Sequence, residues 1–136
     1  MTDIGARTLH SWAGISAKDL TLEQRIKNVF RRKEVVQRWT DTDTLIIDEV
    51  SMLTPQMAVE LDVIGRRVRG RCPALKDAKK LPFGGIQIIF VGDFFQLPPI
   101  VPRDSRKTFI FEVLPEERER NTIPPFASII RSKKQV

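Results

Sequence analysis

Cysteine is nearly absent: Cys72 is the only one among 136 residues. An internal disulfide and a cysteine-rich zinc site are therefore both excluded, and a reducing compartment suits the chain best. Long hydrophobic runs are missing too. The longest apolar stretches have the length of a strand and are interrupted by Asp48 or Gln87, which excludes a membrane-spanning helix, and the N-terminus carries no apolar signal core. These features predict a soluble, intracellular protein with no membrane partner, without separating nucleus from mitochondrion. Histidine is reduced to His10, and no internal repeat is found. The sequence also lacks G-x-x-x-x-G-K-[ST], the loop whose backbone amides, lysine and hydroxyl hold nucleotide phosphates and their metal.

What is present is enough for a core. The hydrophobic fraction of 41% suits one compact domain rather than a disordered tail. A formal charge of +6 favours a polyanionic partner, nucleic acid or an acidic protein surface, and equally serves plain solubility.

Residues Thr2 to Ser16 read as a glycine-punctuated loop around TLHSWAGIS. A helix follows, capped by Thr21 with Gln24 completing a capping box, and Leu22, Ile26, Val29, Phe30, Val36 and Trp39 recur at helical spacing as a core stripe. The run TLII ending in Asp48 and Glu49 predicts a buried strand whose carboxylates emerge at the sheet rim. Thr54 and Pro55 then open a helix with Met57, Leu61, Ile64 and Val68 inward, ending at Gly70. Arg66, Arg67, Arg69 and Arg71 gather at its end, where the helix dipole alone accounts for them; phosphate contact is the minor reading. A lysine-containing loop from Pro73 to Gly85 leads into a second buried strand, IQIIFV. Strand, helix, loop and strand predict a parallel βαβ crossover, hence an α/β fold. TFIFEV predicts a further short strand, and Pro115 to Val136 is rich in charge and proline.

Asp48 and Glu49 carry a specific chemistry when paired at a strand end. Nucleotide hydrolysis needs one carboxylate for hydrated magnesium and another group to orient or deprotonate water. Alone, LIIDE is weak, because many α/β proteins have strands ending in acids. GDFFQLPP sharpens it by placing Asp93 and Gln96 just past a second strand, on the rim where parallel sheets bind ligands. The Gln96 amide can donate to a phosphate oxygen and accept from water, or simply brace its loop. Phe94 and Phe95 could stack on a base, but adjacent aromatics after a core strand are more often packing. In TLHSWAGI, His10, Ser11 and Trp12 could bond a DNA backbone and stack on a base; local capping is the plainer explanation.

Taken together, TLHSWAGI, LIIDEVSML and FGGIQIIFVGDFFQLPPI resemble the petite-integration-frequency (PIF-type) DNA helicases of superfamily one, in the branch that includes RecD. The resemblance runs from about Ile4 to Glu112, and EVSMLTPQMAVELDVIGRRVRG resembles the family's signature segment between its second and third helicase motifs. It implies part of a RecA-like P-loop NTPase domain over residues 1–112, a parallel sheet flanked by helices, with a divergent tail over 113–136. It further implies that Asp48 holds Mg2+, that Glu49 is the catalytic base for water attack on ATP, that Gln96 senses the γ-phosphate beside Asp93, and that Thr8, His10 and Ser11 lie on the single-stranded DNA path. The implied function is an ATP-dependent 5′–3′ DNA helicase acting on single-stranded or forked DNA. Repair, recombination and telomere or genome maintenance in the nucleus or mitochondrion would be its setting.

The family's phosphate loop is expected upstream of Met1, and its later motifs beyond Val136. From this follow the expectations that the 136-residue chain does not hydrolyse ATP by itself, and that IQIIFV is left as an aggregation-prone apolar edge. The alternative function is a catalytically inactive single-stranded-DNA-binding or interaction module derived from such a helicase. A metal-dependent nuclease using Asp48, Glu49 and Asp93 is a third reading.

Overall fold

The structure, a computed structural model, describes residues 6–16 and 18–93. They run as helix α1 (Leu9–Ala13), α2 (Leu22–Arg31), α3 (Lys33–Asp41), strand β1 (Thr44–Ile47), helix α4 (Pro55–Arg69) and strand β2 (Gln87–Phe90), with short 3-10 turns between them. The expected strand ends and the helix opened by Thr54 and Pro55 are there. The TFIFEV strand and the tail lie outside the described residues.

β1 and β2 pair directly. The Gln87 amide donates to the Asp43 carbonyl at 2.9 Å, and four residues on in both strands the Val91 amide donates to Ile47 at 2.9 Å. Partners advancing together in the same direction define a parallel pair, so the intervening α4 is the crossover of a βαβ unit. This is the expected α/β architecture.

Two compact units divide the chain. Residues up to Thr44 together with Ile64–Gln87 form one, and Leu45–Val63 with the chain from Ile88 on form the other, so the boundary passes within α4 and near the start of each strand.

In the first unit, α3 packs on α1 and α2. The Thr21 hydroxyl accepts the Gln24 amide at 3.3 Å while the Gln24 side chain accepts the Thr21 amide at 2.9 Å, completing the predicted capping box. The single long helix read from the hydrophobic stripe is instead two, because Arg32 adopts φ −111°, ψ 96° and ends α2. The break resets the helical phase. Val35 rather than Val36 therefore joins Ile26, Val29 and Trp39 in the core. The stretch read as a loop before Ser16 contains α1, whose N-cap is Thr8 and whose end is Gly14 at φ 73°. A β-carbon on Gly14 would press within 2.6 Å of Val35, so glycine both makes the turn and permits the approach to α3.

The arginines at the end of α4 have individual duties that the dipole reading did not foresee. Arg69 is buried; its Nε donates to the Gly84 carbonyl at 2.8 Å, and Nη1 donates to Trp39, Thr40 and Thr42 carbonyls at 2.7, 3.1 and 2.6 Å. It thereby satisfies carbonyls at the end of α3 that no helical amide can reach. Arg67 pairs with Glu23 at 2.8 Å, and the Arg71 guanidinium lies 3.8 Å from the centre of the Phe30 ring.

In the second unit, Ile47, Val50, Leu53, Ala58 and Leu61 are buried. Thr54 caps α4 by accepting the Met57 amide at 3.2 Å, as Thr54 and Pro55 predict. Met57 itself is half-buried, and Ala58 takes the inward place expected of it. Ile46, Ile89 and Val91 are 63%, 40% and 45% exposed, so the two strands that the sequence predicts as buried carry apolar side chains into solvent instead.

Candidate functional site

The acidic rim is built by the end of β1 turning sharply away. Asp48 and Glu49 follow Ile47 directly and are both exposed. Glu49 lies at φ 52°, ψ 46°, a left-handed conformation that a side-chain-bearing residue adopts at a cost on the order of 1 kcal/mol. The Asp48 carboxylate oxygen Oδ1 accepts the Glu49 amide at 2.8 Å, bracing the turn into the 3-10 segment Val50–Met52.

β2 contributes the other wall. The Val50 amide donates to the Val91 carbonyl at 3.1 Å, tying the turn after β1 to the end of β2. Gly92, at φ 149°, continues from there, and a β-carbon on it would lie 2.8 Å from the Val50 nitrogen and 3.4 Å from the Glu49 carbonyl carbon. Only glycine lets the two strand ends come so close. Asp93, exposed, follows this contact immediately, so the fold brings Asp48, Glu49 and Asp93 to one rim at the carboxyl ends of a parallel pair, as the sequence predicts. Gln96, Phe94 and Phe95 lie outside the described residues. Among the described residues no three His, Cys, Asp or Glu side chains group to hold a metal ion.

Thr8, His10 and Ser11 occupy the first turns of α1, and all three are exposed. The Thr8 hydroxyl oxygen accepts the Ser11 amide at 3.3 Å, so it caps the helix and keeps its own proton to donate outward. His10 and Ser11 keep their side chains in solvent. Trp12 is placed otherwise than for stacking on a base: its ring packs on Trp39, with centroids 4.5 Å apart and planes at 52°.

Arg38, which sequence reasoning missed, and Trp39, which it placed only in the core, hold this helix. Arg38 Nη1 donates to the Ser11 and Trp12 carbonyls at 2.9 and 2.7 Å, and Trp39 Nε1 donates to the Ala13 carbonyl at 3.1 Å. A five-residue helix is too short to persist alone, so α3 fixes it through its unpaired C-terminal carbonyls. No local pattern around Arg38 announces the role, because its acceptors lie 26 and 27 residues earlier.

The model of the PIF1-like helicase family matches residues 2–124. The chain is 40% identical over 111 residues to the ATP-dependent DNA helicase RRM3 of Saccharomyces cerevisiae, covering 80% of this chain and 14% of that protein. It is 43% identical over 109 residues to the ATP-dependent DNA helicase PIF1 of Xenopus laevis, covering 80% of this chain and 16% of that protein. The crystal structure of Pif1 helicase from Candida albicans superposes with a TM-score of 0.66 at 39% identity, over 79% of this chain and 22% of that one. The Bacteroides Pif1 helicase in complex with ADP-AlF3 and ssDNA gives 0.62 at 34% identity, over 81% and 25%. This chain thus spans about one sixth of the length of these curated relatives. With its acidic strand end, its glycine-mediated second strand end and its capped TLHSW helix in place, the chain belongs to the PIF1-like helicase family.

Proposed function

We propose that this chain is the part of an ATP-dependent 5′–3′ DNA helicase that couples water attack on ATP to movement along single-stranded or forked DNA. The observation that carries the proposal is the exposed Asp48–Glu49 pair, held in a strained turn at the carboxyl end of β1. Strain kept at one carboxylate while its neighbour braces it is a device for aiming a side chain.

Asp48 and Glu49 supply hard oxygen donors in solvent, and the donor set fits Mg2+, which keeps most of its waters and takes one or two carboxylates beside substrate phosphates. When bound, Mg2+ neutralises charge developing on the phosphates. Asp48 would hold it, with one of its oxygens accepting the Glu49 amide. Glu49 accepts a proton from the attacking water. Gln96 would contact the γ-phosphate, and Asp93 would contribute to nucleotide binding. Thr8, His10 and Ser11 contact the DNA strand, the N-cap and start of α1 presenting a hydroxyl donor and an imidazole outward. Action in DNA repair, recombination and telomere or genome maintenance, in the nucleus or mitochondrion, belongs to the same proposal.

Because the sequence carries no phosphate loop, the 136-residue chain alone does not turn over ATP. DNA-stimulated ATP hydrolysis by the full-length gene product tests the proposal. Turnover that rises with single-stranded DNA and fails in Asp48→Asn supports it. A product that binds single-stranded DNA with no dependence on nucleotide would instead favour an inactive binding module.

A further inference from the structure

Charge is sharply divided between the two units. The described residues of the first hold 15 Lys and Arg against 6 Asp and Glu, whereas those of the second hold 5 Asp and Glu and no Lys or Arg. Within the first unit the cations are not evenly spread. Lys76, Lys79 and Lys80 are all exposed on the loop that follows α4. The α4 dipole acts only over its last turn, so it does not account for these three.

Side-chain contacts knit the loop and two helices into one basic band. The Lys79 side chain lies across Gly70, where even a β-carbon would collide with its stem. Arg66 donates to the Lys80 carbonyl at 3.4 Å, holding the loop on α4. Arg71 sits on Phe30, beside exposed Arg31 at the end of α2. Arg67 reaches α2 through Glu23. The band also lacks a stacking platform: Phe30 is covered by Arg71, Phe83 is buried, and no aromatic residue is among the strongly exposed apolar side chains of the described residues. Single-strand binders pair cationic grooves with exposed aromatics, whereas a sequence-independent grip on a duplex backbone needs cations alone.

We infer that this band, centred on Lys76, Lys79 and Lys80, is a second DNA contact that grips the phosphate backbone of a duplex, separate from the single-strand contact on α1. The inference rests on DNA as the partner in the proposed function. The band holds the double-stranded arm without reading its sequence, since lysines act as point charges on phosphates.

The test is anisotropy binding of the full-length gene product to a labelled blunt duplex and to oligo-dT across a salt series. Lys76→Gln, Lys79→Gln and Lys80→Gln together should weaken duplex binding about tenfold or more and make its log–log salt slope shallower by about 3. Oligo-dT binding should stay within about twofold, and the three Lys→Arg replacements should restore the duplex affinity. An unchanged duplex slope, an equal loss on both ligands, or displacement of duplex by polyglutamate as readily as by unlabelled duplex would overturn the inference. A His10→Ala, Ser11→Ala variant separates the two claims: if it leaves oligo-dT binding intact, the α1 contact is wrong while the duplex result stands.

Discussion

Replacing Arg69 with alanine should unseat the end of α3. The guanidinium is 3% exposed and bonds four carbonyls, those of Trp39, Thr40, Thr42 and Gly84, at 2.6–3.1 Å. Each is a charge-assisted bond worth about 1.5–3 kcal/mol in isolation, but three share one nitrogen, and desolvating the guanidinium offsets several kcal/mol of the gain. Truncation removes that offset as well as the bonds. It leaves carbonyls without donors, each costing about 1–3 kcal/mol where water cannot enter. The balance is a loss of about 3–5 kcal/mol, at the high end for a single substitution because several buried carbonyls lose their donor together. With a urea slope of about 2 kcal/mol per molar, the unfolding midpoint should fall by about 2 M with the slope unchanged. Arg69→Lys should recover less than half of this, because an ammonium cannot span Gly84 and the end of α3 in one plane. A loss below about 1 kcal/mol for the alanine variant would refute the reasoning, since the carbonyls would then be finding water freely.

Gly92→Ala should force Val50 from Val91, because the new methyl lies 2.8 Å from the Val50 nitrogen; ATP turnover of the full-length product should fall while oligo-dT binding persists, checked by parallel hydrolysis and anisotropy assays. Thr21→Ala removes one half of the capping box and should cost about 1 kcal/mol in urea unfolding, with Thr21→Ser nearly neutral. Glu34 has its carboxyl held below the ordinary value of 4.5 by its hydrogen bond to the backbone and then by Arg32. Its contribution to stability is present above that value and disappears as pH falls through the lowered one, so wild type and Glu34→Gln should melt apart at neutral pH and converge in acid.

How much was legible follows from how local each signal is. Thr21 with Gln24, and Thr54 with Pro55, are complete within four residues, and both caps form as the sequence predicts. The rim at Asp48, Glu49 and Asp93 was legible because an apolar run that stops in acids has one place to put them. The α2–α3 break was not, since Arg32 is neither glycine nor proline, and a hydrophobic stripe tolerates a phase reset without showing it. Helix α1 was hidden for a different reason. Five residues carry too little periodicity to read, and its support comes from Arg38 and Trp39, far along the chain. Arg69 reads from sequence as one of four helix-end cations that the dipole explains, because its acceptors lie up to 30 residues away.

The most direct measurement is single-turnover ATP hydrolysis by the full-length gene product on single-stranded DNA, comparing wild type with Glu49→Gln. If Glu49 takes the proton from the attacking water, the variant should bind ATP as tightly as wild type while hydrolysis slows by about 100- to 10,000-fold. Hydrolysis at the wild-type rate with glutamine at position 49 would contradict the account.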